Sequence, residues 1–305
     1  MPANGTLFLN RSSGAKLPDD ETTALVAAAD AAGLEVLEIA PSLNIAETIR
    51  ERRARGVKLF VAAGGDGTIH HVLQGVVNTE ASLAVIPIGT YNHFARDVGI
   101  PLDWREALEV ACSGIQRQVD TARINDRFFV NNVSIGLYPE LVARREERGR
   151  DYPKWKARLY AFYWTARKYP HVTLTMEADE RRESIRTHVF MVSNNSYDLS
   201  QVGIEAARST LSAGRLSVYW MPHVARWQLT KLAARYLAGR VHSTPGFQSF
   251  RTLRLTVRSS RAVMKVGVDG ELFTIPSPLL ITIVPQSLLV RVPREEAPDG
   301  KMDAH

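Results

Sequence analysis

The sequence predicts two domains. The first is an α/β domain with a parallel sheet, and the second an antiparallel β-sandwich with helical inserts. Three observations lead there. The chain has 305 residues, more than one ordinary core accommodates. Over roughly its first 120 residues, strand-like apolar runs alternate with helical patterns, as in a parallel sheet with right-handed crossovers. From Val119 onward the residues alternate apolar and polar, and turns separate short runs. The expected boundaries are residues 1–122 for the α/β domain, 123–293 for the sandwich and 294–305 for a polar tail.

The first domain can be justified run by run. TLFLN at 6–10 reads as a strand, and the loop Arg11-Ser12-Ser13-Gly14 follows it. Residues 20–32 are alanine-rich and helical, stopped by Gly33. LEVLEI at 34–39 is a strand ended by Pro41, and 44–55 a charged helix closed by Gly56. Leu59 to Ala63 form a buried strand that stops at Gly64-Gly65-Asp66-Gly67-Thr68. A helix follows, with apolar spacing from Ile69 through Val72, Leu73, Val76 and Val77. LAVIPI at 83–88 is a strand, 90–101 opens a helix, and Trp104–Ser113 is another. In the second domain Asn125-Asp126 is a turn, and β-like runs lie at 171–177, 186–193, 215–220, 251–258, 262–268, 271–275, 279–284 and 287–292. Helical inserts at 138–169 and 222–239 interrupt them.

The glycine turn carries the chemistry. Glycines let backbone N–H groups approach a ligand closely, and the unpaired N–H groups at a helix start favour an anion such as phosphate. Asp66 within the turn is the odd element, because a carboxylate repels phosphate. It makes sense if it holds a metal ion or activates a hydroxyl; the plainer alternative is a helix cap. No lysine follows the glycines, so this is not a Walker A loop. Asn10–Gly14, Gly64–Thr68 and Gly89–Asn92 all follow strand ends, and ligands of parallel sheets sit at the carboxyl ends of strands. Three loops therefore converge on one edge.

Composition narrows the partners. The chain is 45% hydrophobic and 23% charged, as a soluble globular protein is, and its net charge of +6 favours an anionic partner. No apolar run approaches a membrane span and no signal peptide is evident. The single cysteine, Cys112, excludes an internal disulfide and reads as a buried bystander in a reducing cytoplasm. His70 and His71 adjoin, so they face different sides of a helix and form no zinc pair. The inserts mix arginine and lysine with Trp155, Tyr160, Phe162, Tyr163 and Trp164, which suits either interfacial membrane contact or solvated helices on the sandwich. No nucleic-acid reader motif is visible.

GGDGTIHHVLQG, then PIGTYNHFARDVGIP, then VDGE at 268–271, resemble the diacylglycerol kinase catalytic-domain family, which includes bacterial lipid kinases and the sphingosine and ceramide kinases. NNVSIGLYPELV at 131–142 and SNNSYDL at 193–199 are similar to segments of its bacterial members. The resemblance runs from Asn10 to about Pro293. It implies transfer of the ATP γ-phosphate to a lipid hydroxyl, most simply diacylglycerol to phosphatidic acid, with the active site between the domains. It also implies nucleotide contacts at Asn10, Arg11, Ser12, Ser13, Gly14, Gly64, Gly65, Asp66, Gly67, Thr68, Thr90 and Asn92. Asp66 is the expected Mg²⁺ ligand, and Asp269, Glu271 or Asp66 the proton acceptor. On a regular strand Asp269 and Glu271 share a face; if Gly270 breaks the strand they need not, and Asp-Gly is also an ordinary hairpin turn. The implied location is the cytoplasm, peripheral at the inner membrane face.

Three departures from the family pattern stand out. His93 replaces an aspartate, Ile39-Ala40-Pro41 lacks a threonine, and Ala213 stands where some members place a structural metal ligand, so no such metal is expected. GGDGT is shared with NAD kinases, which makes an NAD kinase-like phosphotransferase the first rival. A non-catalytic binder of anionic membranes is the second.

Overall fold

Parallel strand pairing organises the N-terminal part of the chain in the computed structural model, which describes residues 5–13, 17–136, 171–179, 181–194, 213–222 and 248–294. The chain divides into two compact units, Met1–Gln118 with Leu288–His305, and Val119–Ser287.

In the first unit β1 (Gly5–Leu9), β2 (Leu34–Glu38), β3 (Leu59–Gly64) and β4 (Ser82–Pro87) alternate with α1 (Asp19–Ala31), α2 (Ile45–Ala54) and α3 (Asp66–Val76). Two further helices follow, α4 (His93–Val98) and α5 (Trp104–Ser113). β1, β3 and β4 are buried at every residue, as parallel strands covered on both faces are. β1 lies between β2 and β3, with Leu7 opposite both Val36 and Val61, and β4 lies beyond β3. The chain therefore leaves β1 in one direction and returns on its other side. That makes the gap between the ends of β1 and β3 a topological switch point, where such sheets bind ligands.

The second unit is antiparallel. β6 (Arg127–Phe129), β7 (Asn132–Gly136), β8 (Val172–Ala178), β9 (Arg181–Ser193) and β10 (Leu216–Pro222) are followed by β11 (Gln248–Thr252), β12 (Arg254–Ser259), β13 (Val263–Val268) and β14 (Glu271–Pro276). β9 pairs with β8 through its first half and with β7 and β10 through its second. The strands thus share partners rather than closing as two separate sheets. Phe129, Phe190, Leu174, Val218 and Trp220 are buried in the core of this unit. The expected fold class, parallel strands first and antiparallel strands after, is the one observed.

β5 (Ile115–Ile124) and β15 (Leu279–Val292) each run from one unit into the other. This differs from the sequence reading in two ways. The runs at 279–284 and 287–292 are one strand, kinked at Gln286, whose φ is +49°. Its last residues, Leu289 and Val290, pair in parallel with Ser82 and Leu83 of β4, so they belong to the first unit and not to the sandwich. Among smaller corrections, the helix expected from residue 90 begins at His93, and Cys112 is exposed rather than buried. Partial desolvation of the thiol nevertheless raises the pKa of this exposed residue. The helical inserts lie outside the described residues, except that Pro222 ends β10.

Candidate active site

The three strand-end loops of the first unit meet. Asn10 is held in register where its N–H donates to the Ala63 carbonyl at 2.9 Å. Its side chain then bridges two loops: Nδ2 donates to Thr68 Oγ1 at 2.9 Å, and Oδ1 accepts from the Ser12 amide at 3.0 Å. The third loop closes through glycine. A methyl group on Gly89 would lie 2.3 Å from Gly65 Cα, and one on Gly65 would lie 3.3 Å from Ser13 Oγ. Only backbone fits at that contact. α3 starts there, with Gly65 as its cap and no side chain bonded to its first amides. Its first turn therefore presents N–H groups at the switch point. Arg11 lies at the rim in an exposed ion pair with Glu38 at 2.6 Å, the kind of pair worth under about 1 kcal/mol. Gly14 lies outside the described residues.

Asp66 is the first residue of α3 and part of neither the strand nor a free turn. Its carboxylate accepts from the His93 and Phe94 amides, both at 3.3 Å. It thus caps α4 rather than its own helix and joins the starts of the two helices. These long bonds leave lone pairs for a cation. Magnesium takes one or two protein carboxylates, the rest of its shell being phosphate oxygens and water, and a single Asp66 at a helix start fits that donor set. No group of three or more His, Cys, Asp or Glu side chains gathers as a metal site among the described residues.

The Asn92 side chain is engaged within its own loop. Its Oδ1 accepts from the Gly89 amide at 3.0 Å, and its Nδ2 donates to the Pro87 and Gly89 carbonyls at 3.1 and 2.9 Å. With φ at +53° and its side chain buried, it moulds residues 87–92 into the loop that meets Gly65. Thr90 and Tyr91 are exposed on that loop, and the Tyr91 ring stacks on His93 with centroids 5.6 Å apart. Sequence reasoning did not single out Tyr91, although an aromatic inside a glycine-asparagine loop was a visible signal.

In the second unit Asp269 and Glu271 do not share a strand face. Asp269 and Gly270 have φ of +49° and +89° and form the two-residue turn between β13 and β14, with Val268 opposite Glu271. The Asp-Gly hairpin is therefore realised. The Asp269 carboxylate is 3% exposed and accepts from the amides of Val130, Asn131 and Asn132 at 3.0, 2.8 and 3.1 Å. Glu271 opens β14 and is half-buried. A second carboxylate, missed from sequence, is Asp120, which accepts from the Gly214 amide at 2.7 Å and the Gln286 amide at 2.9 Å. Its signal was an acid at a buried place, since Val119 through Ala122 are all buried. Ala213, next to Gly214, offers only a methyl group, which does not fit a metal ligand. The anion at that corner is Asp120.

Residues 4–124 match the profile of the diacylglycerol kinase catalytic domain. A diacylglycerol kinase of Bacillus subtilis is 39% identical over 95 residues, 30% of this chain and 31% of that protein. A diacylglycerol kinase of Staphylococcus aureus is 33% identical over 135 residues, 43% of either chain. The chain thus spans less than half the length of these curated relatives. The crystal structure of a diacylglycerol kinase from Bacillus anthracis aligns with a TM-score of 0.66 at 18% identity, covering 96% of this chain and 98% of that one, a likeness of fold.

Proposed function

Because residues 4–124 match the profile of the diacylglycerol kinase catalytic domain, we propose that the protein is an ATP-dependent lipid kinase. It transfers the γ-phosphate to a lipid hydroxyl, with diacylglycerol as the first acceptor and phosphatidic acid as product. The observation that supports this best is the Gly65–Gly89 contact, which closes three strand-end loops around the half-buried start of α3. The proposal rests equally on the acids of the second unit.

Phosphoryl transfer is catalysed chiefly by positioning and charge stabilisation. The amides at the start of α3, with the Asn10–Thr68 pair, hold the phosphates, and Arg11 leaves Glu38 to neutralise them. Mg²⁺ bound at Asp66 would supply charge neutralisation and orient the phosphate oxygens. Glu271 takes the proton of the lipid hydroxyl. That oxygen forms the new bond to the γ-phosphorus as the bond to the bridging oxygen breaks and ADP leaves. Asp269 is bound to three amides, which favours Glu271 as the proton acceptor.

The lipid is reached by peripheral contact with an anionic membrane at the cytoplasmic face. The net charge of +6 supports this. Among the described residues no helix is long and apolar enough to cross a membrane. Sedimentation with liposomes should rise with the anionic lipid fraction.

The deciding assay supplies γ-labelled ATP and Mg²⁺ with a panel of lipid alcohols, and with NAD in a parallel reaction. Label in diacylglycerol is expected. Label in NAD and in no lipid would favour the NAD kinase-like alternative. Asp66→Asn and Glu271→Gln should each lower lipid phosphorylation about 100-fold or more. Full transfer by both variants would remove these residues from the site.

A further inference from the structure

The second unit buries two carboxylates, Asp120 at 2% exposure and Asp269 at 3%. A buried carboxylate is costly unless it is hydrogen-bonded, and charge-assisted bonds from amides are the strong kind. Both acids take such bonds from residues in unusual conformations or tight loops. Asp120 holds Gly214 and Gln286, whose φ angles are +61° and +49°. Asp269 holds the three consecutive amides of 130–132, and its own N–H donates to the Asn132 carbonyl at 2.9 Å.

A single side chain connects the two. Asn194, 1% exposed, donates from Nδ2 to the Asp120 carbonyl at 2.7 Å and to the Val130 carbonyl at 3.3 Å. Its backbone N–H donates to the Asn131 carbonyl at 3.1 Å, which also accepts from Ser193 Oγ at 3.0 Å. Asp120 thus ties the kink of β15 through its carboxylate and Asn194 through its backbone carbonyl, and from Asn194 bonds run through residues 130–132 to Asp269. Asp269 is the first residue of the turn, and Glu271 is the residue that follows it.

We infer that this buried chain of hydrogen bonds is a positioning device for Glu271, with Asn194 as its central link and Asp269 as its terminal member. The inference rests on the kinase reading, in which Glu271 accepts the proton. Two left-handed residues, Asp269 and Gly270, make a turn whose aim is set by what anchors it. The anchor is the 130–132 loop, and the loop in turn is fixed by Asn194 and Ser193. Linked polar groups in a dry interior reinforce one another, so loss of a middle member is felt at the end.

The test uses Asn194→Ala, with Ser193→Ala as a milder probe that deletes one bond to the same loop. Each is made in the wild-type chain and in Glu271→Gln. In the wild-type background, Asn194→Ala should lower kcat about tenfold and Ser193→Ala less, with KM for ATP within about twofold. In Glu271→Gln, neither should lower the residual rate further, because the group being positioned is gone. Equal losses in both backgrounds, or no loss in the wild type, would overturn the inference. If the wild type phosphorylates no lipid, the kinase reading fails separately. Amide hydrogen exchange at Gly270 and Glu271 then decides whether the chain of bonds sets the turn. Faster exchange in Asn194→Ala upholds it and unchanged exchange removes it.

Discussion

At the scale of single residues the meeting of the strand-end loops is defined by what is missing. Gly89 and Gly65 meet backbone to backbone, and a methyl at Gly89 would lie 2.3 Å from the other Cα. Forcing extra atoms into a packed contact costs about 1–3 kcal/mol, and here relief requires moving a loop. Gly89→Ala should therefore weaken ATP binding about tenfold or more by calorimetry. Gly56→Ala is the control. That glycine has φ of +90° with open space around it, so the variant should lose roughly 1 kcal/mol of stability and keep its ATP affinity. Equal affinity in both variants would mean that the Gly65–Gly89 contact does not shape the site. GGDGT was legible as a turn into a helix because glycine and a helix start are local properties. The targets of Asp66 and Asn92 were not. Asp66 caps a helix that begins 27 residues later, and no local pattern names that partner.

At the scale of elements, α5 was read to the residue because Asp103 caps it and its apolar face repeats at helical spacing. α4 was read too early, since Asn92 spends its side chain on the loop and delays the helix to His93. α1 and α5 are joined where no motif marked them. Trp104 Nε1 donates to Glu21 Oε2 at 2.7 Å, Arg105 lies 2.9 Å from the same oxygen, and its guanidinium lies 4.3 Å from the centre of the Trp104 ring. The Trp104 bond first, and then Arg105, hold the Glu21 carboxyl below its ordinary pKa. A depressed carboxylate pKa stabilises the fold fully above the unfolded value, and that contribution fades as pH falls through the folded value. Glu21→Gln should therefore have a lower Tm than the wild type at pH 7, and the gap should close below about pH 4. A gap that persists undiminished at low pH would mean that charge plays no part in the α1–α5 contact.

At the scale of the whole molecule, the order of α/β first and antiparallel strands after was written in hydrophobic periodicity. The return of the chain to its first unit was not. LLVRV reads as a strand whichever sheet it joins, and its neighbour is set by β4, some two hundred residues earlier. The structure supplies the missing contacts. Leu288, Val290 and Val292 are at most 2% exposed. Arg291 Nη1 donates to the Gly114 carbonyl at 2.7 Å, and a methyl on Gly114 would lie 2.6 Å from the Val292 carbonyl oxygen. Burying three such side chains contributes roughly 4.5–9 kcal/mol, at about 1.5–3 kcal/mol each. That is as large as the net stability of many domains, which is about 5–15 kcal/mol. The last strand is thus a structural member of the unit that holds the three strand-end loops, although the chain reaches it only after completing the other unit. A chain ending at Ser287 should lose ATP binding and the upper part of its thermal transition, whereas a chain ending at Arg294 should keep both. Equal ATP affinity in the two truncations would show that residues 288–294 add nothing to the first unit.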